Sequence, residues 1–166
     1  MYPEIQSEEL RDRVDTFILR ADVNSLFDMQ EGLFDFATPY FLADERISTI
    51  MRGLDGRRIG LAIGREYEST IIFGAEGFEM IWGITRGYPI LQVLSREAYR
   101  DGILRLVDPL RLVVTRKVRI KRLTSLALMA LPFWHILIDD TLYEKFLSYQ
   151  VEVEQWILEE LERQGY

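Results

Sequence analysis

The sequence predicts an α+β fold, a sheet covered mainly on one face by helices, and three observations lead there. Apolar residues recur at helical spacing near both ends of the chain, short alternating segments fill the middle, and Gly74-Ala75-Glu76-Gly77 separates two of those segments as a hairpin turn would. A pure helical bundle cannot absorb the alternating segments. With 166 residues and 48% hydrophobic composition, the chain can bury one sizeable core. No repeat, low-complexity stretch or linker divides it.

The elements follow in order. Ser7 has the side chain of an N-cap, and Glu8 and Glu9 suit a first helical turn. Leu10, Val14, Phe17, Ile18 and Ala21 then recur at helical spacing, which predicts an amphipathic helix ending near Asp22. Residues 25–36 carry Leu26, Phe27, Met29, Leu33, Phe34 and Phe36, unusually aromatic for a connection, so this segment must be buried or dock on a partner. Thr38-Pro39 has the residue types of a helix start, and Tyr40, Ile47, Ile50, Met51 and Leu54 are expected to face the core from a helix reaching Gly53. After a turn at Leu54-Asp55-Gly56, strands are expected over 58–64, 69–73 and 78–82, and a fourth within 88–95, where Ser95 caps the next helix.

In the last strand, over 116–122, Lys117, Arg119 and Lys121 alternate with Val118 and Ile120, so one face is wet and basic and the other dry. Thr124 or Ser125 opens a helix that is apolar nearly all round from Leu126 to Trp134, with Pro132 limiting its length. From about Asp140, Leu142, Phe146, Tyr149, Val153 and Trp156 recur at alternating gaps of four and three, widened by Ile157 and Leu161. That pattern gives an amphipathic helix with an acidic outer face.

Residues 95–133 run helix, turn, strand and helix with almost nothing between them, and here the chain resembles the C-terminal half of the sterol carrier protein 2 (SCP2) domain family. In that family a helix runs into a Gly-x-Leu-Asp-Pro turn, a short basic strand of the form Gly-Lys-Leu-Lys-Ile-Lys-Gly, and a helix opening near a Leu-Ala pair. Residues 104–109 match the turn, 116–122 the strand, and Leu126-Ala127 the helix opening. Arg105, Arg116 and Arg122 depart from it, standing where the family usually has glycine, a residue that at a strand end marks a left-handed or crowded backbone position.

The resemblance implies an SCP2-like α+β fold: a five-stranded, mostly antiparallel sheet covered by helices over a core at 39–135. Residues 1–38 would be a helical extension and 136–166 a closing C-terminal helix. It also implies an apolar ligand in a tunnel between sheet and helices.

The absence of cysteine removes disulfides, thiol catalysis and cysteine-ligated metal sites. His135 is the single histidine, so one chain cannot supply a multi-histidine site. No cofactor is expected, since the sequence holds no Walker loop, dinucleotide fingerprint or Gly-x-Ser-x-Gly elbow. The start lacks the order of a secretory signal and no apolar run approaches the roughly 20 residues of a membrane helix, which makes the cytoplasm the default expectation. A net charge of −7 argues against a nucleic-acid binder, although Arg105, Arg111, Arg116, Lys117, Arg119, Lys121 and Arg122 crowd one segment.

The leading expectation is non-enzymatic binding or carriage of a lipid or other apolar small molecule. The expected lining is Phe78, Met80 and Trp82 from the third strand, Leu126, Met129, Ala130, Phe133 and Trp134 from the apolar helix, and Phe146 and Trp156 from the C-terminal helix as a lid. Ordinary core explains the same residues. The basic strand suits transient contact with an anionic membrane, or simply a solvated edge that discourages aggregation. A second reading is an interaction or accessory scaffold, binding a protein partner or a second copy through residues 25–36 and the C-terminal helix, for example to present a lipid-like substrate to enzymes. A third is an enzyme on an apolar substrate using His135 with Asp139 or Asp140, where a structural histidine and a helix start are the plainer account.

Overall fold

The computed structural model describes residues 5, 7–137 and 140–166, and the side chains of these except 134–137, 140–143 and 146. Helix α1 spans Glu8–Arg20, and the Ser7 hydroxyl accepts from the Leu10 N–H as expected of its cap. Asp22 then caps α2, Val23–Leu42, by accepting from the N–H groups of Asn24 and Ser25. The aromatic segment 25–36 is therefore the body of a long helix.

That helix runs through Thr38-Pro39, so the helix start expected there is not one. Proline inside a helix costs about 3 kcal/mol. The Thr38 hydroxyl donates to the Phe34 carbonyl at 2.7 Å, and Phe34 and Phe41 pack on Phe78 at ring separations of 5.1 and 6.5 Å, so packing on both sides of Pro39 carries the helix past it. The real start of α3, Glu45–Gly53, is Asp44, whose side chain accepts from the Arg46 N–H.

Strands β1 (Arg58–Ile63), β2 (Tyr67–Gly74), β3 (Gly77–Trp82) and β4 (Ile90–Val93) fall within a residue or two of the expected segments. Ser95 caps α4, Arg96–Ile103. A short helix not expected from the sequence, α5 (Pro109–Val114), follows, with Asp108 as its cap and proline at its first position. Then come β5 (Val118–Lys121), α6 (Leu123–Leu137) and α7 (Asp140–Arg163). Helix α6 continues past Pro132, so that residue does not end it.

The five strands form one sheet in the order β3-β2-β1-β4-β5, antiparallel except for the β1–β4 pair. This is the mostly antiparallel α+β arrangement expected. The register places Leu61, Ser69, Trp82, Leu91 and Ile120 across one face, because Leu61 opposes both Ser69 and Leu91, Ser69 opposes Trp82, and Leu91 opposes Ile120. On this face Leu61, Ile63, Tyr67, Met80 and Val93 join Leu10 and Phe17 of α1, Leu26, Phe27 and Met29 of α2, Ala98 of α4 and Leu161 of α7 in one buried cluster.

The opposite face is crossed by residues 83–89, the link from β3 to β4. Thr70 donates to the Gly83 carbonyl at 2.7 Å and accepts from the Thr85 N–H at 2.9 Å, which explains a fully buried threonine there. A Cβ on Gly60 would stand 2.9 Å from Ile84 Cδ1, so glycine lets the link lie close. As expected, Arg119 and Lys121 are exposed while Val118 and Ile120 are half-buried.

The three arginines at glycine positions have left-handed backbones: φ is 53° at Arg105, 60° at Arg116 and 58° at Arg122. They are the non-glycine residues with positive φ among the described residues. The glycine-type backbone is thus kept at all three sites without the glycine, at a steric cost of roughly 1–2 kcal/mol each.

Candidate ligand-binding cleft

Between the sheet and helices α2 and α4 lies a buried layer of side chains. Tyr67 is fully buried, and its hydroxyl donates to Gln30 Oε1 at 2.7 Å, while Gln30 Nε2 donates to the Tyr99 hydroxyl at 2.9 Å. Burial pushes the Tyr67 phenol up to about 12 and raises that of Tyr99, which the neighbouring Tyr67 raises further. These three polar groups close the layer between α2, β2 and α4, with Leu26, Phe27 and Met29 beside them.

An open apolar space lies one layer further out, between α2 and α7. It is a cleft of about 360 Å³, within the roughly 300–1,000 Å³ of small-molecule sites. Helix α2 contributes Leu33, Phe34, Ala37, Tyr40 and Phe41, which recur at spacings of one helix face. Helix α7 contributes Tyr149, Val153 and Ile157, and Ile5 closes one side. Gln150 and Glu154, joined by a 2.7 Å hydrogen bond, bring the polar lining.

An aromatic ladder joins the two helices beside the cleft. Trp156 stacks on Phe36 at 5.4 Å, Phe36 lies 5.5 Å from Tyr40, and Tyr40 lies 4.5 Å from Tyr149. A hydrogen bond to Glu152 raises the Tyr40 phenol above its ordinary value. Gly32 lets the indole approach, since a Cβ there would sit 3.0 Å from Trp156 Cζ2.

The two halves of α7 are held differently. Its C-terminal half is anchored by fully buried Leu161, by an ion pair between Glu162 and Arg13 at 3.2 Å, and by Tyr166 edge-on to Phe17 at 5.1 Å just beyond the helix. Toward the N-terminal half, Leu147 and Val151 are exposed, and Lys145 reaches Asp44 at 3.2 Å, at the corner between α2 and α3. Asp44 is buried, and the Arg46 side chain, helped by Lys145 and the Arg46 N–H, holds its carboxyl well below the usual carboxylate range.

None of the sequence-expected site residues whose side chains are described lines this cleft. Phe78 lies directly beneath it, against Phe34, and Trp156 stands at its wall. Met80 is buried in the main core, and Trp82, about half exposed, stacks on Phe27 at 4.4 Å. Leu126 and Phe133 are half-buried, Ala130 is exposed, and Met129 lines a separate, more polar hollow with Tyr88, Pro89 and Ser125. Trp134 and Phe146, with His135 and Asp140, lie outside the described side chains, and Asp139 outside the described residues. The sequence does not single out Ala37 and Tyr40 together, because Thr38-Pro39 has the residue types of a helix start and divides the α2 stripe, and it marks Tyr149 and Val153 only as part of the apolar stripe of α7.

No family model matches the chain, and no curated protein matches it. Among solved structures it is similar to a UbiJ-SCP2 ubiquinone synthesis protein, at 9% identity, over 74% of this chain and 92% of that one, with a TM-score of 0.41. No helix among the described residues is long and apolar enough to cross a membrane, and no group of acidic or histidine side chains among them is placed to hold a metal ion.

Proposed function

We propose that the chain binds an apolar, lipid-like molecule in the α2–α7 cleft and carries it without chemical change. The observation behind this reading is the cleft, with its almost wholly apolar lining and polar groups confined to Gln150, Glu154 and the tyrosine hydroxyls. The resemblance of the turn, basic strand and helix opening to the SCP2 family supports it. A space of about 360 Å³ accommodates about a dozen water-sized groups at ~30 Å³ each, the bulk of a medium acyl chain or a short isoprenoid. At ~0.8 kcal/mol per methylene the gross gain is about 10 kcal/mol, and ordering costs of 4 kcal/mol or more leave an affinity of about 0.1 mM at the tightest.

The test pairs solvent extraction and native mass spectrometry of the purified protein with titration of a fluorescent acyl probe. The Ala37→Phe variant fills the cleft from a helix position without adding a polar group. Probe binding by the wild type and at least ten-fold weaker binding by Ala37→Phe, with unchanged circular dichroism, is the expected result. An apo mass with no probe response, or equal binding by the variant, overturns the reading.

A further inference from the structure

The segment from α5 to α6 lies outside the cleft, and its composition is unlike the rest of the chain. From residue 102 to 138 seven cations face one carboxylate, Asp108, a local net charge of +6 in a chain of −7. Arg111, Arg116, Arg119 and Lys121 are exposed and make no ion pair among the described residues. Interleaved with them are bare aliphatic side chains: Leu110 is 76% exposed, Val114 80% and Leu128 67%. Isolated exposed leucines are ordinary, but a run of them on consecutive elements marks a contact surface.

The arginines carry a second, independent signal. Arg105, Arg116 and Arg122 occupy left-handed backbone positions at the end of α4 and on either side of β5, where glycine is the unstrained choice. A residue kept in a strained conformation points from the outlier toward a role for its side chain. At Arg122 part of that role is visible, since its guanidinium donates to the Gly87 carbonyl at 2.8 Å. For Arg116 there is no ion pair among the described residues, and its side chain is exposed.

We propose that α5, β5 and the outer face of α6 form a docking surface for an anionic lipid bilayer. Cations attract the headgroups while Leu110, Val114 and Leu128 enter the headgroup–acyl boundary. Charge complementarity selects this occupant. A second copy would bring the same positive patch face to face with itself, and a nucleic acid would leave the aliphatic side chains facing a phosphate backbone. Helix α6, at 15 residues, is shorter than the roughly 20 needed to span a bilayer, so it lies on the surface.

The test measures partition of the full chain onto vesicles of phosphatidylcholine alone and of phosphatidylcholine with one-third phosphatidylglycerol. Binding to the anionic vesicles only, weakened by added salt, is expected. Removing one cation should lower partition about five-fold. Arg116→Gly is the decisive variant, because it should weaken partition while leaving Tm equal or higher, as a merely structural arginine would not. Leu110→Asn should also weaken partition, and the cleft-filling Ala37→Phe should leave it unchanged, so failure of the ligand reading is separable from failure of this one. Equal binding to both vesicle types, none to either, or a concentration-dependent dimer that Leu110→Asn dissociates overturns the proposal.

Discussion

Replacing Trp156 by alanine separates a gating helix from one that is merely packed. The indole is half-buried, stacks nearly parallel to Phe36 with a 19° angle between planes, and rests against Gly32. Half of a large aromatic burial is worth about 1.5 kcal/mol, and the ring pair adds about 0.5–1 kcal/mol. The variant should therefore lose about 2 kcal/mol and about 4–8 °C in Tm. Because the lost contacts join α7 to α2, much of that loss should fall on opening of the cleft. If all of it does, the open population rises about 30-fold. Protein preloaded with a fluorescent acyl probe and chased with excess unlabelled fatty acid in a stopped-flow instrument reads the release rate. Release should be faster by about ten-fold or more, with Trp156→Phe between the two. A Tm that falls as expected with unchanged release would show that α7 packs without gating, and the lid role would be withdrawn.

Two further outcomes follow from the titratable groups. Lys145→Gln removes the tie between α7 and Asp44 but leaves the Arg46 contacts, and a half-exposed pair of this kind is worth about 0.5–1 kcal/mol, so release should quicken about three-fold. Asp44 has a depressed pKa when folded, so its contribution is present above its unfolded value and is lost as pH falls below about 4. Because the folded carboxyl stays ionised well below that value, the rate difference between wild type and Lys145→Gln should persist at about pH 4 and shrink only in stronger acid, and a difference already lost at about pH 4–5 would remove Asp44 as the partner. At the other end, the Tyr67 phenol titrates at about 12 when folded, above its unfolded value, so its contribution is complete below about pH 10 and lost as pH rises through 12. Tyr67→Phe costs about 1–3 kcal/mol at neutral pH by leaving Gln30 Oε1 without its donor, and that deficit should narrow as pH rises from about 10 through 12. Urea melts at neutral and alkaline pH measure both.

Local signals made most of the fold legible. Caps at Ser7 and Ser95, the hairpin at residues 74–77 and the alternation of Lys117 to Lys121 each fix backbone geometry within a few residues, and each is where it was expected. Errors came where tertiary packing overrode a local stop. Pro39 and Pro132 both sit inside helices, and at Pro39 the rings of Phe34 and Phe41 hold the chain on Phe78 on both sides of the break. Helix α5 was hidden by its length, although Asp108-Pro109 is the sequence signature of a helix start. The glycine-to-arginine departures were legible as departures. Their meaning was not, because nothing in a lone sequence says whether the backbone or the residue has changed.

The α2–α7 cleft was not legible in the sequence for a related reason. Periodicity says which face of α2 is apolar but not which partner covers each part of it, and the stripe changes partner along its length. Leu26, Phe27 and Met29 join the sheet core, whereas Leu33, Ala37 and Tyr40 turn to α7. Between those stretches sits Gln30, whose bonds to Tyr67 and Tyr99 close the layer over the sheet at that point, while the cleft lies on the outer side of the helix. A site walled by two helices opens differently from one walled by a sheet. Parting α7 from α2 breaks ring contacts and the Lys145–Asp44 tie, and it leaves the hydrogen-bond ladder from β1 to β5 untouched. The energy of opening is therefore set by a few side chains on α7, while the stability of the fold is set by the sheet and by α1, α2 and α4. Substitutions at Trp156 and Lys145 should move exchange and global stability by different proportions, a separation that a tunnel buried against the sheet would not allow.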